Sequence, residues 1–234
     1  MRLKCIMIDF GETIADGRMV YNNVDKEYNL QFWRRLGFSG SLEDLENARI
    51  KNSADIGKIT SQKNVSKTTW AKMFAKKLGL EITEKDAEEE FRGFIEYYKR
   101  NVRLFPNVKD TLDFIKNNGL KLVLISNGWK ELNTILEYLD LDRYFDLVII
   151  SKDIEAYKSE GIPFKIAMEK MSLKPEECIM VGDNLKEDAC SRRIGIKFCW
   201  FNPFGAEAKE NNFDFEIKDF KDIQGIVESS SDND

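Results

Sequence analysis

The 234-residue chain has the composition of an ordinary globular protein, with 42 % hydrophobic and 33 % charged residues. Its net charge is −5 and its basic residues are spread along the chain, which argues against nucleic acid as the main partner. No apolar run approaches membrane-spanning length, and the short apolar stretch near the N-terminus does not resemble a signal peptide. We therefore expect a cytoplasmic protein that binds neither nucleic acid nor membranes.

The chain contains no histidine, which narrows its possible chemistry. Catalysis by Ser-His-Asp or Cys-His groups is excluded, as are zinc sites built on histidine. The four cysteines, Cys5, Cys178, Cys190 and Cys199, form no CxxC pair and are best explained as buried free thiols in a reducing compartment. Any chemistry must therefore use carboxylates, lysine, hydroxyls, thiols, backbone amides or a hard metal ion.

The chain opens with an apolar run that ends abruptly at Asp9, within the segment Leu3–Thr13. Its continuous hydrophobicity predicts a strand that is buried on both faces. Four later runs of the same character predict further strands at Lys121–Ser126, Leu147–Ser151, Cys178–Asp183 and Lys197–Phe201. Helical patterns lie between them at Asn107–Asn118, Trp129–Leu139, Pro163–Met171 and Leu185–Ile194. This alternation predicts an α/β fold with a Rossmann-like parallel sheet.

Residues 16–103 interrupt the alternation of strands and helices. They hold long helical patterns and no convincing buried strand: Val24–Leu36, Leu42–Lys51, Lys67–Leu78 and Thr83–Arg100. Thr83, followed three residues later by Asp86, resembles a helix-capping arrangement, and Pro106 marks the end of the insertion. We expect residues 1–15 and 104–228 to form the α/β core domain and residues 16–103 an inserted all-helical domain. Residues 229–234 are expected to form a disordered tail.

Polar residues follow or end four of the predicted strands. They are the segments Asp9–Thr13 (DFGET), Ser126–Gly128 (SNG), Lys158 and Gly182–Asp188 (GDNLKED). Taken singly, each is more simply explained as a turn, a helix cap or a surface lysine. Parallel strands bring their carboxyl ends to one edge of a sheet, where the four segments would meet. Together they suit a hard cation such as Mg²⁺ beside a phosphate, with a carboxylate available as a nucleophile.

The order of these segments resembles the motifs of the haloacid dehalogenase-like (HAD) hydrolase superfamily over nearly the whole chain. The matching positions are Asp9 and Thr13 of DxDxT, Ser126 at the end of a strand, Lys158, and Gly182 to Asp188 of GDxxxxD. Lys158 stands in YKSEGIPF rather than in the usual KPDPxxF pattern. The helical insertion occupies the position of a C1 cap. The resemblance therefore implies a HAD-like core with a C1 cap, in the phosphatase-like branch.

The resemblance also implies a role for each matching position. Asp9 would be the nucleophile and a Mg²⁺ ligand, and Lys158 would neutralise charge and hold Asp9 in place. The phosphate-binding set would be Thr13, which also supports its loop, together with Ser126, Asn127 and Gly128. The metal set would be Asp9, the Gly11 carbonyl, Asp183 and Asp188. The implied reaction is the hydrolysis of a small phosphorylated metabolite through an aspartyl-phosphate, carried out by a monomer or homodimer.

Gly11 departs from the family pattern, because the phosphatases carry a second Asp at that position. This Asp protonates the leaving oxygen and then activates water, while its carbonyl binds Mg²⁺. Glycine keeps the carbonyl and loses the acid, a loss worth roughly 10²–10⁴ in rate and smallest for good leaving groups such as acyl phosphates. Glu12 is adjacent, but on a regular extended segment its side chain would point the other way.

Other branches of the superfamily also lack the second Asp, and they leave alternatives open. The 2-haloacid dehalogenases need no metal, but their fourth motif is not GDxxxxD. Phosphonoacetaldehyde hydrolase uses a cap lysine as a Schiff base, and the cap lysines here, among them Lys51, Lys58 and Lys63, stand in no matching context. A further alternative is a non-enzymatic member of the family that has kept Mg²⁺ or phosphate binding and lost turnover.

Overall fold

The computed structural model of the chain describes residues 2–18, 20, 23, 25–60 and 66–231. Its backbone contacts divide the chain into two compact units, Met1–Asp16 with Arg103–Asp234 and Gly17–Val102. Each unit packs a hydrophobic core of its own. Among the described residues, every helix is too short or too polar to cross a lipid bilayer.

The strands all lie in the first unit. They are β1 (Cys5–Ile8), β2 (Ala15–Asp16), β3 (Arg103–Leu104), β4 (Lys121–Ser126), β5 (Leu147–Ile150), β6 (Cys178–Gly182), β7 (Lys197–Phe201) and β8 (Phe215–Ile217) among the described residues. The short strands β2 and β3 pair antiparallel. The other six form one sheet in the order β5-β4-β1-β6-β7-β8, in which all neighbours are parallel. The predicted α/β fold with a parallel sheet is confirmed.

The second unit is helical in its described residues. It contains a π-helical turn (Asp25–Asn29), α1 (Leu30–Arg35), α2 (Leu42–Thr60), α3 (Lys67–Lys77) and α4 (Glu84–Asn101). Its core forms around Trp33, whose ring meets those of Phe32 and Phe74 edge-on at centroid distances of 5.1 and 5.2 Å. The unit therefore has an aromatic core that does not depend on the sheet.

The capping arrangement predicted at Thr83 is present at the start of α4. The Thr83 Oγ1 accepts from the Asp86 N–H, and the Asp86 carboxylate accepts from the Thr83 N–H. Other predictions for this unit fall partly outside the described residues, which include neither Val24 nor Lys63 nor the side chain of Lys58. Lys51 lies exposed on α2, which continues past the predicted end to Thr60.

Helices cover the sheet of the first unit. They are α5 (Val108–Asn117), α6 (Leu132–Tyr138), α7 (Ser151–Ile154), α8 (Ile162–Met171) and α9 (Ile223–Ser231), with 3₁₀ turns at Asp142–Tyr144, Lys158–Glu160, Pro175–Glu177, Asp188–Ile194 and Phe220–Asp222. All four side chains of β1 are buried, because β4 and β6 flank the strand and helical layers cover it. Its Cys5 and Met7 pack in one cluster with Phe164 and Ala167 of α8.

The helix predicted at Leu185–Ile194 is wrong in its first turn, since 3₁₀ geometry begins only at Asp188. Asn184 Oδ1 accepts from the N–H groups of Lys186 and Glu187, as a helix N-cap does, and the Asp188 N–H donates to the Asn184 carbonyl, so residues 185–187 form one hydrogen-bonded turn ahead of the 3₁₀ segment. At the other end of the chain, α9 continues to Ser231, into the segment expected to be a tail. The hydroxyl of Ser230 donates to the Ile226 carbonyl and follows the helix rather than leaving it.

Candidate active site

Asp9 is fixed by the backbone of the sheet. Its N–H donates to the Val181 carbonyl at 3.0 Å, so the pairing of β1 with β6 continues one residue past the strand end. This places the carboxylate at the carboxyl edge of the central strand, where Asp9 as a whole is only 8 % exposed. A carboxylate held at this depth must meet charged or hydrogen-bonding partners to remain ionised.

Lys158 is the cation paired with Asp9. It begins the 3₁₀ turn Lys158–Glu160, and its side chain is 2 % exposed. Its Nζ donates to Asp9 Oδ1 and, at 2.7 Å, to Asp188 Oδ1. One buried ammonium therefore bridges two carboxylates from segments that lie far apart in the sequence.

Asp188 explains the glycine of the GDxxxxD segment. Its second oxygen, Oδ2, accepts from the Asn184 N–H at 3.0 Å, so both oxygens hold hydrogen bonds. A Cβ at Gly182 would lie 2.2 Å from Asp188 Oδ2, far inside van der Waals contact. Glycine at position 182 is therefore required for the buried Asp188 to fold back beneath the strand end.

Asp183 completes a cluster of carboxylates. Oxygens of Asp9, Asp183 and Asp188 all lie within 4.8 Å of one another. The fully buried Thr13 donates from Oγ1 to Asp183 Oδ1 at 3.3 Å. This bond matches the loop-supporting role expected of Thr13, and the phosphate contact predicted for the residue stays a prediction.

The cluster carries more negative than positive charge. Lys158 supplies one positive charge against the carboxylates of Asp9, Asp183 and Asp188, so these four side chains leave an excess of two negative charges when ionised. Burial, reinforced by Asp188, raises the pKa of Asp9 to about 7 despite Lys158, and burial and Asp188 raise the pKa of Asp183 to about 6. Burial alone would lower the pKa of Lys158, but Asp188 and Asp9 outweigh it and raise that pKa. The excess charge and the all-oxygen donors fit one hard divalent cation.

The segment after β4 turns back on itself at Ser126. The Gly128 N–H donates to Ser126 Oγ at 3.0 Å, and a Cβ at Gly128 would lie 2.9 Å from that oxygen. The Ser126 hydroxyl accepts this bond and keeps its own proton to donate. The side-chain oxygen of Asn127, Oδ1, by contrast, accepts from Ser151 Oγ at 2.7 Å and from the Lys158 N–H at 3.2 Å. The side-chain oxygen of Asn127 is therefore engaged within the protein, and the phosphate contact predicted at Asn127 would have to use an N–H donor.

The loop after Asp9 corrects one expectation. Glu12 has a φ of +55°, so the segment is not regularly extended. The prediction that the Glu12 side chain points the opposite way from position 11 assumed an extended segment and is therefore wrong. The loop is a tight turn in which the Ile14 and Ala15 N–H groups both donate to the Phe10 carbonyl. The negative charge of Glu12 contributes, after burial and Asp188, to the raised pKa of Asp183. Glu12 therefore acts electrostatically on the cluster.

Trp200 takes part in the site through a contact that the sequence does not signal. It lies on β7 in register with Gly182 of β6, and its Nε1 donates to the Asp183 carbonyl at 2.9 Å. A tryptophan in an apolar strand predicts packing alone, and only the register of β6 with β7 reveals the hydrogen bond. Trp200 thus holds the backbone of a candidate metal ligand.

Replacing Trp200 by phenylalanine should loosen Asp183. We expect Trp200→Phe to lower the free energy of unfolding by about 1 kcal/mol through the lost hydrogen bond. Mg²⁺ affinity, measured by calorimetry, should weaken by roughly tenfold, as for other residues that orient a ligand. The control is Trp33→Phe, since the buried Trp33 Nε1 has no partner among the described atoms. Equal Mg²⁺ affinity in the two variants would contradict the assignment.

Comparison with known proteins decides the family. The profile of the haloacid dehalogenase-like hydrolases matches residues 3–190, which include the cluster of Asp9, Lys158, Asp183 and Asp188. The chain belongs to this family. The prediction of a hydrolase of the HAD superfamily is thereby confirmed.

The relatives of this HAD-like hydrolase include several phosphatases. The pyrophosphatase PpaX of Oceanobacillus iheyensis is 29 % identical over 157 residues, covering 64 % of this chain and 73 % of the relative. A phosphoglycolate phosphatase of Haemophilus influenzae is 25 % identical over 166 residues, covering 68 % and 73 %. A glyceraldehyde 3-phosphate phosphatase of Pyrococcus furiosus is 34 % identical over 136 residues, covering 56 % and 55 %.

Solved structures share the fold of this HAD-like hydrolase over nearly its whole length. A HAD phosphatase from Thermococcus onnurineus superposes with a TM-score of 0.74 at 24 % identity, covering 96 % of this chain and 98 % of the other. A 2-haloacid dehalogenase from Pseudomonas syringae has the same TM-score at 19 % identity, covering 97 % and 99 %. Phosphatases and dehalogenases share this fold, so the fold alone does not determine which reaction the chain catalyses.

Proposed function

We propose that this HAD-like hydrolase is a Mg²⁺-dependent phosphatase of the C1-cap branch that acts on a small phosphorylated metabolite. The carrying observation is the buried carboxylate cluster, in which Lys158 offsets only part of the charge of Asp9, Asp183 and Asp188. A halide-displacing enzyme needs the carboxylate and the lysine but has no need of two further acids. The relatives named as phosphatases support the same choice.

The residues present fit a magnesium ion. Asp9, Asp183 and the Gly11 carbonyl would hold it, since Mg²⁺ takes oxygen ligands and few protein carboxylates. Asp188, predicted as a further ligand, accepts from Lys158 Nζ and from the Asn184 N–H and would orient these groups around the ion. When bound, the ion would neutralise charge on the phosphoryl oxygens.

Asp9 is the proposed nucleophile. The carboxylate oxygen that does not accept from Lys158 attacks phosphorus in line, the P–O bond to the leaving group breaks, and an aspartyl-phosphate forms. Lys158 favours the ionised form of Asp9 against the effect of burial, orients the carboxylate and offsets the charge of the transferred group. The Ser126 hydroxyl, whose oxygen accepts from the Gly128 N–H, donates a hydrogen bond to a phosphoryl oxygen.

The second half of the reaction frees Asp9. Water attacks phosphorus, the P–O bond to Asp9 breaks to release its carboxylate, and both water hydrogens leave with the released phosphate. Gly11 offers no carboxyl group to either half, so the leaving oxygen must depart without a proton from this position. Substrates with acidic leaving groups, such as acyl phosphates and phosphoanhydrides, are therefore favoured over alkyl phosphates.

The test is a panel of phosphate esters and acyl phosphates assayed with and without Mg²⁺. We expect phosphate release that requires Mg²⁺ and that is lost in Asp9→Asn. The same protein is incubated with 2-chloropropionate and assayed for chloride. Metal-independent chloride release without phosphatase activity would establish the dehalogenase alternative, and Mg²⁺ binding without either activity would establish the non-enzymatic one.

A further inference from the structure

Asn127 joins three of the segments that build the site. We propose that its side chain is a positioning residue that holds the backbone of Lys158, and through it the ammonium group, between Asp9 and Asp188. The inference rests on the proposed function in one respect, since the role of Lys158 in phosphoryl transfer belongs to that function. The geometry itself stands on the hydrogen bonds of Asn127.

The side chain of Asn127 hydrogen bonds the backbone of Lys158. Lys158 is the first residue of a 3₁₀ turn, and its preceding residue Tyr157 is extended, so its N–H points away from the turn's own carbonyls. Asn127 Oδ1 accepts this N–H at 3.2 Å and also the hydroxyl of Ser151 at 2.7 Å. Ser151 is fully buried, so the Asn127 oxygen ties the end of β4 to the start of α7 and to Lys158.

The position of the Lys158 ammonium group depends on where the backbone of Lys158 is held. The Lys158 side chain is a flexible four-carbon stem that must place Nζ between two carboxylates. A shift of its Cα would lengthen one ion pair at the expense of the other, because Asp9 is fixed by β6 and Asp188 by Asn184. Asn127 fixes the Cα end of the stem, while the carboxylates fix the charged end.

The nitrogen of the Asn127 side chain makes a further hydrogen bond, on the opposite side of the amide group from Oδ1. Asn127 Nδ2 donates to Glu187 Oε2 at 3.1 Å, and Glu187 directly precedes Asp188. A single side chain thus links the backbone of Lys158 to the residue beside its carboxylate partner. The direction of each bond is defined: the Asn127 oxygen accepts, and its nitrogen donates to an acid.

The direction of the bond from Asn127 to Glu187 can be tested by exchanging the donor and the acceptor between the two residues. Asn127→Asp is isosteric and keeps an acceptor for Lys158 and Ser151, but it places a carboxylate against Glu187. We expect kcat on the best acyl phosphate to fall by roughly 10–100-fold, as for residues that orient a catalytic group. Adding Glu187→Gln restores the pair with reversed polarity, because the introduced amide can donate to the introduced carboxylate. The double variant should recover most of the lost kcat at unchanged net charge.

The matched control is a second Asn–Glu pair in the same unit. Asn202 Nδ2 donates to Glu216 Oε1 at 2.8 Å, and Asn202 is buried whereas Asn127 is half-buried. Asn202→Asp, alone and with Glu216→Gln, should leave kcat unchanged even if it alters the urea midpoint. Ser151→Ala is a further variant, since it removes one donor to Asn127 without adding charge, and it should lower kcat several-fold.

The outcomes separate this inference from the proposed function. A wild-type protein without phosphatase activity overturns the function, and the inference is then judged by urea unfolding of Asn127→Asp in the Lys158 and Lys158→Met backgrounds. A smaller midpoint shift in the Lys158→Met background supports positioning, and equal shifts overturn it. With an active wild type, the inference fails if Asn127→Asp keeps full kcat, or if adding Glu187→Gln recovers nothing.

Discussion

A Lys158→Met variant is expected to unfold with a free energy about 3–5 kcal/mol lower than that of the wild type. Its phosphatase activity is expected to fall by roughly 10²–10³-fold. Methionine keeps the apolar stem and removes the ammonium that bridges Asp9 and Asp188. Urea unfolding and kcat on the best acyl phosphate measure the two effects.

The size of the stability effect follows from burial. Asp188 is 1 % exposed and Asp9 8 %, so neither carboxylate can regain water when the lysine charge is removed. Each would have to accept a proton or remain ionised at high cost. Asp9 already has a pKa raised to about 7 with Lys158 present, so the loss of the lysine raises it further.

The control is an ion pair between a lysine and an aspartate whose side chains are partly exposed to solvent. Lys116 Nζ lies 2.7 Å from Asp146, with about a third of each side chain exposed (34 % and 32 %). Lys116→Met should therefore cost only about 0–1 kcal/mol, as surface ion pairs do. If the two variants lose equal stability, the buried bridge is not what stabilises the site.

The strands could be predicted because each carries its own signal. β4 and β7 lie at the residues where short apolar runs place them, since strands buried on both faces need no polar alternation. β8 was missed because Phe215–Ile217 is too short to show a pattern and has a charged middle residue. The helix predicted at Leu185–Ile194 is instead a turn capped by Asn184 followed by 3₁₀ geometry, which an apolar pattern of this length does not distinguish from an α-helix.

The site was predictable from the order of its segments and much less from single residues. Asp9 and Asp183 stand out because an acid ends an apolar strand. Lys158 does not stand out among the lysines of the chain, and only the family resemblance selects it. The structure gives the physical reason for its selection, since this lysine is buried against Asp9 and Asp188.

Contacts between distant residues could not be predicted from sequence patterns. The bond from Trp200 to the Asp183 carbonyl depends on the register of β7, and the bonds of Asn127 depend on how two loops meet. Glu12 shows the same limit at short range. Its positive φ belongs to a turn closed by Phe10, which an apolar strand followed by polar residues does not announce.

Gly11→Asp is expected to raise kcat/KM for alkyl phosphates by a factor of roughly 10² or more, toward the 10²–10⁴ typical of general acid–base catalysis. The gain should be small for acyl phosphates, whose leaving groups need no proton. A series of phosphate esters with leaving groups of decreasing acidity measures the effect. The wild type should slow steeply along this series, and the variant should slow less.

The structure has room for the new side chain. A Cβ at Gly11 would meet none of the described atoms within 4 Å, and the φ of Gly11 lies outside the range that only glycine adopts readily. The introduced carboxyl would join a cluster that raises the pKa of Asp9 to about 7 and of Asp183 to about 6. Negative charge from this cluster would raise the pKa of the introduced carboxyl, which is the direction that a general acid needs.

Two control variants decide what a gain means. Gly11→Asn has the same size but no carboxyl, so it should give no gain if the proton is responsible. Glu12→Gln tests whether Glu12 already supplies the acid, in which case that variant would lose activity on alkyl phosphates and Gly11→Asp would add little. A folded, Mg²⁺-binding Gly11→Asp protein with no gain on any alkyl phosphate would show that the loss of an acid at Gly11 does not limit this enzyme.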